Sequence, residues 1–241
     1  MKALAIIIAT LFVAASPASS SPLYRLYNEM IAPTVRINDN CSGQVVYSKY
    51  NQKSKTARTI ILTAKHCTTK TNNGKYFEID IPQYDKGNIL IGEKLIFAQL
   101  LATDSSDLAL LEVTDHINVF TKITKIENID TLLYIGEDCL ASGYALGKSI
   151  MVSKGLIGPK EFESVEGRPF TQYLRATAQI AGGNSGGGLY HLSLDGSYKL
   201  IGVATAGIPN KGFIAVWTPL SNIIPFLEKW VPSYKVDTAS Q

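Results

Sequence analysis

The chain has no CxxC pair, and its three histidines, His66, His116 and His191, stand far apart in sequence. Sites built from cysteine and histidine need those ligands at short, regular spacings, so no metal-ligand pattern is present. Concentrated charge is missing too. The formal net charge is only +3, and the lysines and arginines are scattered. No basic stripe offers a footprint for nucleic acid or an anionic membrane. Glycine and proline are spread along the chain, so no segment reads as low-complexity. There is no internal repeat.

Cysteine is scarce: Cys41, Cys67 and Cys139 are the whole complement. Three cysteines allow one bridge and leave one over. Cys41 and Cys67 are the candidate pair in an oxidising compartment, and Cys139 is then a buried core thiol. Long apolar runs are also lacking. The run Ala3 to Ala15 falls short of the ~20 residues that span a bilayer. Lys2 precedes it and Ser16-Pro17-Ala18-Ser19-Ser20-Ser21 follows. A positive start, a short apolar middle and a small-residue exit define a secretory signal peptide over residues 1–20, with cleavage near Ala18 to Ser21. The mature chain is expected to be secreted or periplasmic, with no membrane segment.

What is present is apolar mass. Apolar residues make up 46% of 241, enough for a sizeable core in one domain of two lobes or two small domains. Short β-branched runs recur between turn residues: Gln44–Tyr47, Thr59–Leu62, Leu108–Leu111, Leu200–Val203 and Phe213–Trp217. That pattern predicts an all-β barrel or sandwich. Helical spacing appears at Leu220, Ile223, Ile224 and Leu227. Pro219 precedes it, Ser221 is the candidate cap, and Pro225 falls in its first turn.

Three short motifs carry chemistry. In Gly182-Gly183-Asn184-Ser185-Gly186-Gly187-Gly188, dense glycine permits a sharp turn and presents consecutive backbone N–H groups to an anion. Ser185 is the candidate nucleophile. In Leu62-Thr63-Ala64-Lys65-His66-Cys67, a β-rich run ends in His66. Bridging Cys67 to Cys41 would close a loop of roughly 27 residues, worth on the order of 3–4 kcal/mol, and hold that backbone. In Asp104-Ser105-Ser106-Asp107-Leu108, a carboxylate leads directly into an apolar strand. A partly buried carboxylate needs a partner, and an imidazole N–H is suitable. Gly183-Asn184-Ser185-Gly186-Gly187 also fits the G-x-S-x-G elbow of α/β-hydrolases. That fold needs its acid and then its histidine after the serine. Only His191 follows Ser185, and no histidine follows Asp195. The order His66, Asp107, Ser185 is the order of chymotrypsin.

On these motifs the chain resembles the trypsin-like peptidases over nearly all of its mature length. Cys41-Ser42-Gly43 with Leu62 to Cys67 resembles the family's first-lobe disulfide and histidine motif. Asp107–Leu111 resembles its aspartate motif and Gly183–Gly187 its serine motif. The bacterial Do-like (high-temperature-requirement) branch is the most similar, through Asn184 before the serine, Asp104 before Asp107, and the stretch Ile135 to Ile157. The chain ends soon after its C-terminal helix, leaving no room for that branch's peptide-binding PDZ domain. Lys65 stands where alanine or asparagine is usual.

The resemblance implies two antiparallel six-stranded β-barrels with the site in the cleft between them. It divides the chain into a first lobe at 21–115, a crossover at 116–130, a second lobe at 131–218, a C-terminal helix at 219–231 and a tail at 232–241. It implies a serine endopeptidase acting on polypeptides without a cofactor, with His66 as base, Asp107 as its orienting group, Ser185 as nucleophile and the amides of Gly183 and Ser185 as oxyanion hole. It also implies a Cys41–Cys67 disulfide. An inactive member serving as a secreted binding or toxin-like module is the alternative. Asn184 carries no charge to pair with a newly cleaved N-terminus, so no dependence on one is expected. The primary pocket falls at Gln179, Ile180, Thr205, Gly207 and Ala215. With no carboxylate at its base, uncharged residues are expected before the scissile bond. The insert Pro159 to Pro169 borders its rim. Oligomeric state is left open.

Overall fold

The computed structural model describes residues 21–52, 55–69, 76–85, 90–113, 120–129, 131–164, 170–207 and 214–231. The expected signal peptide, the tail, His116 and Phe213 lie outside them. Strands β1 (Thr34–Ile37), β2 (Cys41–Asn51), β3 (Thr56–Ala64), β4 (Phe77–Tyr84), β5 (Leu90–Thr103) and β6 (Leu108–Val113) close one barrel in the order β1-β2-β3-β6-β5-β4. Strands β7 (Asp138–Ala145), β8 (Ser149–Glu163), β9 (Thr171–Ala176), β10 (Gly188–Leu192), β11 (Tyr198–Gly207) and β12 (Ala215–Pro219) close a second. Reading its circle from β7 gives β7-β8-β9-β12-β11-β10, the same order as the first. The protein is thus an all-β double barrel whose halves share a topology without sharing a sequence pattern.

The apolar runs are continuous because both faces of their strands are buried. In β3, Ile61 points into the first barrel with Val35, Ile79 and Leu111. Its neighbours Ile60 and Leu62 point outward, joining Leu108, Leu110, Tyr190, Leu200 and Val203 in an apolar layer between the barrels. The second barrel is filled by Ile157, Leu174, Leu189, Ile201 and Trp217. Outside the first barrel, a short helix (Pro22–Leu26, α1) is capped by the Ser21 hydroxyl, which accepts from Tyr24 N at 3.2 Å, and continues as a π-helical segment to Ile31. Glu29 reaches the second barrel, accepting from Tyr198 N at 2.8 Å.

Three sequence expectations need correction. The C-terminal helix (Leu220–Trp230, α2) has Pro219 at its cap position, and Ser221 is not the cap. Ser221 sits inside the helix and donates to Gln172 at 3.1 Å. Pro219 is extended and belongs to β12, so the strand runs straight into the helix and leaves no turn for a capping side chain. Pro225 therefore falls in the second turn. The insert at Pro159 to Pro169 begins as regular strand, because β8 runs on to Glu163 and pairs with β9. Of the crossover, 120–129 is described. It is irregular but tied to both barrels: Thr124 N donates to Val45 O at 2.7 Å, and Glu127 N donates to Leu200 O at 3.0 Å.

Candidate active site

His66 stands on a single 3-10 turn (Lys65–Thr68) at the end of β3. Its Nδ1 lies 2.8 Å from Asp107 Oδ2, and its backbone N–H donates to Asp107 Oδ1 at 3.0 Å. Lys65 N–H donates to Asp107 O at 2.8 Å. One aspartate thus holds both the ring and the backbone of the histidine. Asp107 is delivered by the β5–β6 turn. Asp104 shapes that turn by accepting from the amide and the hydroxyl of Ser106, each at 2.6 Å. Asp107 has φ +65°, a conformation that Asp tolerates better than most residues. Its side chain is buried while that of His66 is partly open, at 5% and 22% exposure. Cys67 is bridged to Cys41, so the chain is cross-linked one residue beyond the histidine.

Ser185 comes from the loop between β9 and β10, on the other barrel. Its carbonyl accepts from Ser42 N at 2.7 Å, and Cys67 Sγ lies 3.6 Å from the same oxygen. The serine is therefore packed against the residue next to His66. Its hydroxyl makes no hydrogen bond to His66 among the described residues; such bonds are often loose in free enzymes and tighten on substrate. Gly183 and Gly186 have φ of +93° and +80°. A side chain at Gly183 would collide with the Tyr144 carbonyl, and one at Gly186 with that of Ser42. Glycine is needed at both for conformation and for space.

The loop amides divide into two groups. Asn184 N, Gly186 N and Gly187 N donate to Ala181 O, Ala204 O and Asn184 O. Those of Gly183 and Ser185 donate no hydrogen bond among the described residues. The Gly182 carbonyl accepts from Leu146 N at 2.5 Å. A trans peptide points its N–H opposite its C=O, so Gly183 N–H faces away from that turn. Two unspent amides flanking one residue can receive a developing negative charge. Asn184 between them is buried, and its Oδ1 has no partner among the described residues.

The remaining sequence candidates lie on β11, on β12 and in the segment before the serine loop, with Gly207 opposite Ala215. Gln179 is exposed, and its carbonyl accepts from Ser153 Oγ at 2.7 Å. Ile180 packs at the edge of the second barrel's core, and Ala215 lies within that core. Gly207 is exposed at the end of β11 with open space around it. Thr205 is buried, and its hydroxyl pairs with Thr218 Oγ1 at 2.9 Å. Thr218 in turn donates to Ser106 O at 3.0 Å. Thr205 therefore supports the Asp107 turn from across the barrel interface. Sequence reasoning missed this link, and it missed Ser42, although both lie in quoted motifs. Their roles depend on residues more than a hundred positions away.

A second histidine–carboxylate pair lies outside the cleft. His191 Nε2 is 2.7 Å from Glu127 Oε2, and both side chains are buried. Burial pushes the Glu127 carboxyl upward. Hydrogen bonds from Asn128 N–H, Ser193 and His191, with the charge of Lys199, override this and hold it at about 2. Among the described residues no cluster of side chains could hold a metal ion.

This double barrel, with a histidine–aspartate pair on one half and a glycine-flanked serine on the other, defines a peptidase of the chymotrypsin type. The family model for the trypsin-like peptidase domain matches residues 41–203, and the chain belongs to that family. Solved structures share the fold. The apo MamO protease domain from Magnetospirillum magneticum is 20% identical at TM-score 0.63, covering 84% of this chain and 99% of that one. The Rv3671c protease from M. tuberculosis H37Rv, in an inactive form, is 18% identical at TM-score 0.58, covering 83% and 89%. The HtrA-type protease AlgW with a tripeptide is 21% identical at TM-score 0.61, covering 87% of this chain and 63% of that one. Comparison with curated proteins gives no match.

Proposed function

We propose that this trypsin-like peptidase is a secreted serine endopeptidase that cleaves polypeptides through an acyl-enzyme. The observation that carries the reading is the 2.8 Å contact of His66 Nδ1 with Asp107, with the adjoining Cys67 Sγ 3.6 Å from the Ser185 carbonyl. A carboxylate on Nδ1 favours the tautomer whose Nε2 is free to accept a proton. As the Ser185 hydroxyl adds to the substrate carbonyl carbon, His66 takes its proton. His66 then gives the proton to the leaving amine as the peptide bond breaks. Water, activated by the same imidazole, hydrolyses the ester. The amides of Gly183 and Ser185 hold the oxyanion, a contribution of about 2.7–4 kcal/mol for each such donor. No step requires a cofactor.

The uncharged character of Gln179, Ile180, Gly207 and Ala215 favours an uncharged residue before the scissile bond, since an unpaired buried guanidinium is too costly. Secretion is supported by the Cys41–Cys67 bridge, which fits an oxidising compartment. Among the described residues, no helix is long and apolar enough to cross a membrane. A fluorophosphonate probe tests the nucleophile directly. Ser185 should be labelled, and Ser185→Ala should be folded, unlabelled and inactive; a folded, active Ser185→Ala protein refutes the assignment. Matched peptides with Leu, Val, Gln, Glu or Arg before the scissile bond test specificity. A preference above about tenfold (~1.4 kcal/mol) for Arg or Glu contradicts the pocket reading.

A further inference from the structure

The two peptide groups on either side of Gly183 are held by different devices. The Gly183 carbonyl accepts from Ser42 Oγ at 2.8 Å, and Ser42 Oγ itself accepts from Tyr144 N at 2.8 Å. Ser42 belongs to the first barrel and is fully buried. The Gly182 carbonyl is held by Leu146 N, in the turn between β7 and β8. The first barrel grips that turn as well. Arg36 Nη1 lies 3.1 Å from Gly147 O and 3.4 Å from Lys148 O. The same guanidinium is fixed by Asp80 at 3.2 Å, Glu93 at 3.0 Å and Asp39 at 3.3 Å. Gly147 also lies so close to the Asp39 carbonyl that no side chain would fit between them.

We propose that Ser42 and Arg36 are positioning residues that keep the oxyanion hole of the second barrel in its working conformation. The proposal rests on the serine-peptidase reading above. If the Gly182–Gly183 peptide turned over, it would present a carbonyl where the hole needs an N–H. Losing one such donor costs 10²–10³ in kcat in other serine peptidases. Turning it over would break the bond to Leu146. Moving the next peptide would break the bond to Ser42 and leave that buried hydroxyl without its acceptor. The first barrel thus supplies the restraint, with an uncharged Asn184 between the two donors. The hole is formed whenever the barrels are docked.

Ser42→Ala removes one hydroxyl and is read on the full chain beside the parent. Steady-state kinetics should show kcat down at least tenfold with KM within twofold. Affinity for a peptide boronic acid, whose tetrahedral adduct places an oxygen in the hole, should fall by a similar factor. Binding of an uncleaved peptide, measured in a Ser185→Ala background, should be unchanged. Arg36→Met should show the same signature, smaller, because it acts one step further away. Ser48→Ala removes a hydroxyl bonded to Thr59 further along β2 and should leave kcat unchanged. A folded Ser42→Ala protein with kcat within twofold of the parent overturns the proposal. So does a loss confined to KM, or an equal loss of peptide binding. If Ser42→Ala does not fold, an unchanged kcat in Arg36→Met overturns it instead. Full activity in Ser185→Ala would overturn the serine reading and this proposal together. Loss in Ser185→Ala beside full activity in Ser42→Ala overturns this proposal alone.

Discussion

His66–Asp107 and His191–Glu127 are two histidine–carboxylate pairs of nearly equal length, 2.8 and 2.7 Å. Distance does not tell them apart; surroundings do. The imidazole of His66 is partly open, beside a glycine-rich loop that carries a serine. His191 sits in strand β10 and is closed in, and its glutamate is saturated by Asn128, Ser193 and Lys199. A base needs a free nitrogen and access to a proton donor. A structural pair needs every polar group satisfied away from water. The first pair is open to a reacting partner and the second is closed in with its polar groups satisfied.

The largest effect should come from Asp107→Asn. The altered tautomer should lower kcat by about 10⁴ while the fold is kept. Glu127→Gln should leave kcat/KM within about threefold. Peptide hydrolysis with thermal melts checks both, and an equal loss of activity in the two variants would erase the distinction between the pairs.

Next comes the clamp beside His66. Replacing Cys41 and Cys67 together by Ala should cost about 3–4 kcal/mol in urea unfolding. Because the link adjoins His66, activity should fall under conditions where the variant is still folded. A cost below about 1 kcal/mol would show that strand pairing alone holds the histidine.

The third test concerns stability in acid. Glu127 is held at about 2 in the native chain, against an ordinary value near 4.5. As pH falls below about 4.5 the unfolded chain takes up a proton that the native chain refuses. The linked stabilisation is complete above that pH and is lost between about 4.5 and 2. It amounts to roughly 3 kcal/mol. Glu127→Gln should be less stable at pH 7 and should lose less on acidification. Asp195, also held at about 2 against the pull of burial by Ser197 and Lys199, keeps part of the slope. Unfolding curves at pH 2.5, 3.5, 5 and 7 that run parallel for parent and variant would contradict this.

The smallest effect belongs to the unpaired cysteine. Burial, with Asp138 nearby, pushes the Cys139 thiol up to about 11. Iodoacetamide at pH 8 should leave it unmodified in the native protein and alkylate it on unfolding. Rapid native labelling would mean an open second barrel.

Much of the fold was legible because barrel strands buried on both faces leave dense apolar runs. Thr59–Leu62 lies in β3, Leu108–Leu111 in β6 and Leu200–Val203 in β11. The N-terminal helix was not, since α1 buries none of its own residues and leaves no periodic signal. The cap at Ser221 failed because a proline that ends a strand can also open a helix. The contact of the Thr205 hydroxyl with Thr218 left no mark in the sequence, since it joins two neighbouring strands.

The residue types and their order along the chain marked the candidate site: a histidine, an aspartate and a glycine-flanked serine, in the order of chymotrypsin. They also marked Cys41 and Cys67 as the pair that the structure bridges. The tertiary structure alone decided what holds those groups in place. The bond from Ser42 to Gly183 spans 141 positions and that from Arg36 to Gly147 spans 111. Neither leaves a local pattern, because each exists only once two separately closed barrels have docked.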